Sequence, residues 1–445
     1  MPSGPLAIGG FMELLTKRPK GTQDVLPNEV YKWQTVEKLA KETAEQYGFK
    51  EIRFPTFEHT ELFTRSVGDT TDVVQKEMYT FNDKGNRSIT LRPEGTAGTV
   101  RTILENGLLN EALPQKVFYF PSCFRYEKPQ AGRLREFHQF GVEMFGSQSP
   151  CADADVISLA KSFLDRLGLK GIELFINSIG CLECRAKYQA ALTAHFEARK
   201  DELCDTCKDR LGKNPMRILD CKSPVCAEIS KDAPVILDFL CEECSDHFEK
   251  LKANLTAMSI DFSINPKIVR GLDYYTKTVF EFVTTDIGAQ GTVCGGGRYD
   301  GLVEQLGGPK MPALGFAMGL ERLILTMQSQ NCDFIPAKTC DLYIATMGDK
   351  ALEKAIVLTK VLREEGYWVE YDVMGRGLKA QMKYADKIGA AFSIVLGDNE
   401  IETNSAKMKN MKTGEQIEIS FDNGFIDSFS NIVVSDMFGD ILNRI

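Results

Sequence analysis

Polar residues of both signs recur at strand spacing in the aromatic-rich stretch FRYEKPQAGRLREFHQFGVE, Phe124 to Glu143, and this narrows what the chain can form more than any other segment. With a period of two, the incoming arm puts Arg125 and Glu127 on one face, and the outgoing arm puts Phe137, Gln139, Gly141 and Glu143 on one face. The basic loop between them, Lys128 to Arg135, holds Pro129 and Gly132. The pattern predicts an antiparallel hairpin with a cationic tip, one face of which carries an arginine, two carboxylates, an amide and an aromatic ring: the floor of a binding site. A half-solvated strand whose polar residues merely meet water gives part of the same pattern.

At 445 residues the chain has room for two or three domains, each with its own core. No apolar run approaches the roughly 20 residues that a membrane helix needs. The first eleven residues, MPSGPLAIGGF, lack the order of charge and apolar residues that a secretory signal requires; they read as an expression remnant ahead of a start at Met12. A net charge of -9 argues against a general nucleic-acid coat, so any polyanion must be met by local basic patches. Thirteen cysteines without a signal peptide suggest reduced thiols or metal ligands, and a cytoplasmic location.

Asn28 to Tyr47 has helix composition and stops at Gly48, and Pro55 interrupts the extended segment that follows, as an edge or a subunit contact would. Cys151 to Leu167 reads as a helix and FINSIG, Phe175 to Gly180, as a strand. From Cys181 to about Met258 the character changes to charged helices studded with cysteine, an apparent insertion. Strand composition returns at IVRGLDYYTKTVFEFVT, and ALGFAMGLERLILTM reads as an apolar helix reaching Met327. One sheet domain, residues 12–336, is therefore expected to be split by an insertion at 181–258. After the linker at Pro336, DLYIAT, YWVEYDVM and AFSIVLG alternate with helices at Asp349 to Glu365 and Gly377 to Ile388, which predicts a small α/β domain over 337–445. In its second helix Lys379, Lys383 and Lys387 recur every four residues, which most simply makes a solvated face.

Four cysteine pairs fall in the insertion: Cys181 with Cys184, Cys204 with Cys207, Cys221 with Cys226, and Cys241 with Cys244. Three have the CxxC spacing that lets one turn offer two thiolates to a tetrahedral metal. Eight thiols suffice for two four-cysteine zinc sites or for one site with spare ligands, with His247 in reserve; reduced cysteines in a small helical domain are the simpler alternative.

Other segments join polar side chains to glycine. RPEGT holds Glu94 on a rigid turn between Pro93 and Gly95; VRGLDYY offers Arg270, Asp273 and two tyrosines; GGGRYDGL brings glycines where backbone can approach a ligand; GLER sets Glu321 and Arg322 in an apolar setting where a guanidinium needs an acid or an anion. In this order, RPEGT, FRYEKPQAGR, the run ending in Glu143, RGLDYY, GGGRYDGL and GFAMGLER closely resemble the histidyl-tRNA synthetases, class II aminoacyl-tRNA synthetases, from about Lys17 to the C-terminus. RGLDYY is the most specific of them.

The resemblance implies an α+β fold: an antiparallel sheet flanked by helices, a helical insertion, and a C-terminal α/β anticodon-binding domain, with Pro55 at the interface of a homodimer. It also implies two steps. Histidine attacks the α-phosphate of ATP to give histidyl-adenylate, and the acyl group then passes to the 3′ end of histidine tRNA. Arg125 and Arg270 would be catalytic, neutralising the two anions that meet. Arg125, Glu127, Arg133, Phe137 and Arg322 would bind ATP, with Phe137 stacked on adenine, Arg322 on the γ-phosphate and Mg²⁺ bridging the phosphates. Glu143 and Tyr275 would read the imidazole, Glu94 and Gln139 the α-ammonium, with Gly95, Thr96, Arg270 and Tyr274 beside them and Gly141 leaving room for the substrate. Lys128, Gln130 and Arg133 would meet the tRNA acceptor end. No histidine among His59, His138, His195 and His247 sits in an evident triad, and His138 points away by parity. Synthetase-like regulatory subunits of ATP phosphoribosyltransferase form the alternative class; they usually lose RGLDYY and the terminal domain, both of which are present here.

Overall fold

The computed structural model describes residues 15–68, 71, 73–219, 221, 223–268, 272–284 and 291–442. The chain divides into one unit that ends at Ile335 and another that begins at Pro336. The first is built on a nine-stranded sheet. Its spatial order is Lys50–Glu51, Gln115–Tyr119, Glu136–Phe145, Ala313–Gly319, Thr292–Arg298, Thr276–Val283, Glu173–Ser178 and Ser263–Ile264, with Ser122–Phe124 paired to the start of Glu136–Phe145. The two outermost pairs are parallel and the rest antiparallel, as the expected antiparallel sheet flanked by helices requires.

Strand parity divides this sheet into two unlike faces. Phe140, Val142 and Met144, with Leu314, Phe316 and Met318 from the neighbouring strand, point into the main hydrophobic core. The helix Pro150–Arg166 covers that face; Ser149 caps it by accepting the Cys151 N–H, proline occupies its first turn, and Val156, Ala160 and Phe163 line its buried stripe. Phe140 meets Phe163 and Phe316 edge-on at 5.2 and 5.8 Å. The helix Val30–Gln46 packs alongside through Val36, Ala40 and Ala44, and the chain reverses at Gly48 with φ 78°. The alternate residues, Gln139, Gly141 and Glu143 opposite Gly319, Ala317 and Gly315, form the other face. Small residues on the second strand leave space above the sheet there.

Two local expectations are corrected. Arg125 to Gly132 is not strand; the incoming arm is only Ser122–Phe124, and the tip closes through a bridge between Gln130 and Arg133. Pro129 cannot donate to a ladder, and Glu127 N–H turns back onto the Arg125 carbonyl at 2.8 Å. The apolar run ALGFAMG is the strand Ala313–Gly319, and the helix begins only at Leu320. A short apolar run buried on both faces has no periodicity to distinguish strand from helix, and its glycines decide for the sheet.

Between strands Glu173–Ser178 and Ser263–Ile264 run the helices Leu182–Glu197, Asp205–Leu211, Pro224–Ile229 and Glu242–Ala257. Tyr188, Leu192 and Phe196 form a four-residue-spaced buried stripe on the first of them. A separate small sheet, Phe57–His59, Ser88–Leu91 and Tyr79–Asn82, leaves Phe57 and Phe81 exposed. In the second unit the parallel strands Val369–Tyr371, Leu342–Thr346 and Phe392–Leu396 are extended by the antiparallel Ser405–Asn410 and Gln416–Ser420. Its helix Leu378–Lys387 buries Gln381 and Ala385 and leaves Lys379, Lys383 and Lys387 exposed.

Candidate active site

A cavity of about 280 Å³ opens over the small-residue face of the sheet, and it gathers Glu94, Thr96, Arg125, Glu127, Arg133, Phe137, Gln139, Glu143, Tyr274, Tyr275 and Arg322. Glu143 is 1% exposed. Its carboxylate accepts hydrogen bonds from Thr96 Oγ1 at 2.8 Å, from Tyr119 Oη at 2.7 Å and from the Tyr299 hydroxyl. Burial pushes its carboxyl up to about 8, although the three hydroxyl donors pull it down. Tyr119 and Tyr299 were not among the residues expected here. No local spacing marks Tyr119, whose place follows from its cross-strand position against Gly141; Tyr299 lies within GGGRYDGL, where attention falls on the glycines and the arginine.

Glu94 is 3% exposed and caps the helix Thr96–Glu105, accepting the N–H groups of Thr96 and Ala97 at 2.7 and 2.9 Å. Burial raises its carboxyl, and these bonds and the Arg125 charge oppose the rise. Gly95 and Gly141 do not line the cavity. A Cβ on either would overlap the Tyr119 ring, so the space at Gly141 holds a tyrosine of the chain rather than substrate. Gln139 does line the cavity, and its carbonyl oxygen faces the Cys123 thiol at 3.4 Å.

The arginines form a second group. Arg125 donates from Nε to the Pro93 carbonyl at 2.8 Å and lies over the Phe137 ring at 5.4 Å, so the two side chains meet although Arg125 comes from a loop. Arg133 pairs with Glu127. Arg322 donates to the Thr292 carbonyl at 2.6 Å, and burial together with the Arg133 and Arg125 charges holds it below its ordinary value. Glu321 is not its partner: the Glu321 carboxylate takes both the backbone N–H and Nδ1 of His138, each at 3.0 Å. His138 stands on the opposite side of the strand against Trp33, as its parity predicts. Arg92 and Arg298 are structural. Arg92 donates to the Ser122, Phe54 and Pro55 carbonyls, and Arg298 is fully buried on Asp153.

Tyr274 and Tyr275 stack tilted at 4.7 Å, and Tyr274 meets Tyr299 edge-on at 5.6 Å. Arg270 lies outside the described residues. Asp273 is engaged from the insertion by Asn214 at 3.3 Å and by Arg217 at 3.9 Å. Lys128 and Gln130 are exposed at the hairpin tip.

The eight insertion cysteines assemble as two clusters, Cys181, Cys184, Cys241 and Cys244, and Cys204, Cys207, Cys221 and Cys226, with the Sγ atoms of each within 4.8 Å of one another. His247 is in neither; it faces Asp153 at 3.3 Å, which removes it as a reserve ligand.

A family model described as histidyl-tRNA synthetase matches residues 21–323, and one described as an anticodon-binding domain matches 341–426. A relative from Acetivibrio thermocellus named histidine–tRNA ligase is 58% identical over 409 residues, covering 92% of this chain and 98% of its own length. One of the same name from Clostridium novyi is 55% identical, covering 94% and 99%. Apo histidyl-tRNA synthetase from S. aureus superposes with a TM-score of 0.80 at 41% identity, covering 93% of this chain and all of that one. A Bacillus halodurans chain described as an ATP phosphoribosyltransferase regulatory subunit/histidyl-tRNA synthetase is 21% identical, with a TM-score of 0.62 over 88% and 99% of the two chains, a likeness of fold alone. With one family matched across the sheet unit and relatives more than half identical over nine-tenths of its length, the chain belongs to the histidyl-tRNA synthetase family.

Proposed function

We propose that this cavity activates L-histidine with ATP, and that the chain then transfers the histidyl group to the 3′ end of histidine tRNA. One observation carries the reading: a buried carboxylate, Glu143, held among three hydroxyls in the same cavity as Arg125, Arg133 and Arg322. A buried carboxylate with ordered donors suits a ligand that brings its own N–H, and imidazole does so. Glu143 and Tyr275 read the ring; Glu94 and Gln139 take the α-ammonium, with Thr96 and Tyr274 completing the wall. Analogues without ring N–H groups would bury the cavity face of Glu143 with no donor of their own to offer it, a loss that discriminates by roughly 10⁴-fold.

In the first step a carboxylate oxygen of histidine forms a bond to the α-phosphorus as the bond to pyrophosphate breaks. Two anions must approach, and guanidinium forks neutralise and orient them. Arg125 serves the α-phosphate from its seat on the Pro93 carbonyl, and by its motif Arg270 shares that work. Arg322 and Arg133 hold the outer phosphates, and Phe137 stacks on adenine. The donor set suits a magnesium ion carried in on the triphosphate, since Glu127, 7% exposed in its side chain, brings a carboxylate to the arginine group. When bound, that ion offsets phosphate charge. In the second step the tRNA hydroxyl displaces AMP; Lys128, Gln130 and Arg133 at the hairpin tip meet the acceptor end, and the unit from Pro336 reads the anticodon.

Exposed Phe57 and Phe81 on the small sheet beside Pro55 support a homodimer formed there. Reduced thiols support a cytoplasmic setting, and no described helix is long and apolar enough to cross a membrane. The regulatory-subunit reading rests on a likeness at 21% identity and is not favoured. The test is ATP–pyrophosphate exchange with each of the twenty amino acids offered singly. A response confined to histidine is expected; a response to another amino acid, or to none, overturns the reading.

A further inference from the structure

The sequence left the pairing of the insertion cysteines open, and the fold resolves it into two sets of four. We propose that each set binds one zinc ion, giving two closed Cys₄ centres per chain: one from Cys181, Cys184, Cys241 and Cys244, the other from Cys204, Cys207, Cys221 and Cys226.

Three observations support the same chemistry. The first is distance. Four sulfurs about 2.3 Å from a common tetrahedral zinc lie about 3.8 Å from one another. Cys181 and Cys184 Sγ are 3.5 Å apart, and Cys204 and Cys221 Sγ are 3.8 Å apart, far beyond a disulfide bond of about 2.05 Å.

The second is backbone design. Cys181, Cys204 and Cys241 are the N-cap residues of three different helices, and Cys184, Cys207 and Cys244 stand three positions further on. Each CxxC therefore wraps the first turn of a helix, so that one rigid turn presents two sulfurs to the same centre. Main-chain N–H groups point at the sulfurs, two of them across elements, Cys241 N to Cys184 Sγ at 3.1 Å and Cys204 N to Cys226 Sγ at 3.3 Å, and one within a loop, Ser223 N to Cys221 Sγ at 3.4 Å. Such bonds orient ligands around a metal. Gly180 allows the first centre to close, because a Cβ there would overlap Cys184.

The third is placement. The first set joins the point where the chain leaves the sheet, after strand Glu173–Ser178, to the start of the helix Glu242–Ala257 that leads back to it. Backbone bonds tie this point to the strand that follows the tyrosine pair, since Lys277 N–H donates to the Gly180 carbonyl at 2.9 Å and Ile179 N–H to the Lys277 carbonyl at 2.7 Å. The second set draws together segments of the insertion body that are otherwise short helices and turns. One centre fastens the insertion to its base and the other holds its interior. Four thiolates leave no position for water, so both are structural.

The full chain, purified without added metal, should contain two zinc per chain by elemental analysis. Cobalt added to chelator-stripped protein should give thiolate-to-cobalt charge-transfer absorption that saturates at two equivalents. Cys184→Ser and Cys207→Ser should each retain one zinc. Where a variant does not fold, the cobalt stoichiometry of the unsubstituted chain decides. Fewer than two equivalents, or folded protein whose eight insertion thiols all react with a thiol reagent before any chelator is added, overturns the proposal.

Discussion

Gly315 and Glu143 stand directly opposite each other on adjacent strands, and a Cβ at Gly315 would overlap Glu143 Oε2. The carboxylate thus lies flat over a glycine. Gly315→Ala should push it off its three hydroxyl partners, cost about 1–3 kcal/mol of stability by overpacking, and reduce histidine-dependent pyrophosphate exchange. Exchange assays and urea denaturation check this; a variant with unaltered histidine KM would show that the carboxylate has room to spare.

Glu143→Gln should leave the fold intact and cut histidine activation by about 10- to 100-fold, the worth of a hydrogen bond to a charged group. Its pH behaviour has a definite sign. The folded carboxyl is raised from 4.5 to about 8, so its contribution to stability is complete below pH 4.5 and is lost as pH rises through about 8. The unsubstituted chain should therefore lose more stability than the variant between pH 6 and pH 8.5. Histidine binding near pH 7 should release a proton that calorimetry in buffers of different ionisation enthalpy detects. Equal stability slopes in the two proteins would count against a titrating Glu143.

Arg322, with Arg125 and Arg133 close by, carries a cost in the free cavity that a triphosphate relieves. Arg322→Ala should raise the KM for ATP by about 10-fold or more. MgATP should stabilise the parent more than the variant in thermal melts. An unchanged KM would remove Arg322 from the phosphate site.

Arg92 binds three main-chain carbonyls from two segments, Phe54 and Pro55 on one side and Ser122 on the other. Arg92→Met would leave them without that partner, at about 1–3 kcal/mol for each acceptor that stays buried. Chemical denaturation should show a loss of roughly 3 kcal/mol or more, only partly recovered by Arg92→Lys, because an ammonium does not reproduce the planar fork. A loss below about 1 kcal/mol would mean that water replaces the arginine there.

The period-two pattern of Phe137, Gln139 and Glu143 was legible because those residues lie on one long strand whose other face is core. Arg125 and Glu127 reach the same cavity from a loop, where alternation has no meaning; their agreement with the pattern came through the hairpin's closure. ALGFAMG misread as helix because a strand buried on both faces shows no alternation. Tyr119 and Tyr299 were hidden for another reason: their roles depend on contacts made across the sheet with Glu143, which no local spacing records. The grouping of cysteines was equally non-local, since Cys181 and Cys244 meet only when the insertion closes on itself.

The Tyr119 ring occupies space that side chains at Gly95 and Gly141 would fill. Neither glycine can gain a side chain while the tyrosine remains, and the tyrosine cannot shrink without opening a void beside the carboxylate. Drift at these three positions is therefore locked: a descendant sequence can leave this arrangement only by changing them together, so a chain that keeps Tyr119 but replaces either glycine has already lost the geometry around Glu143.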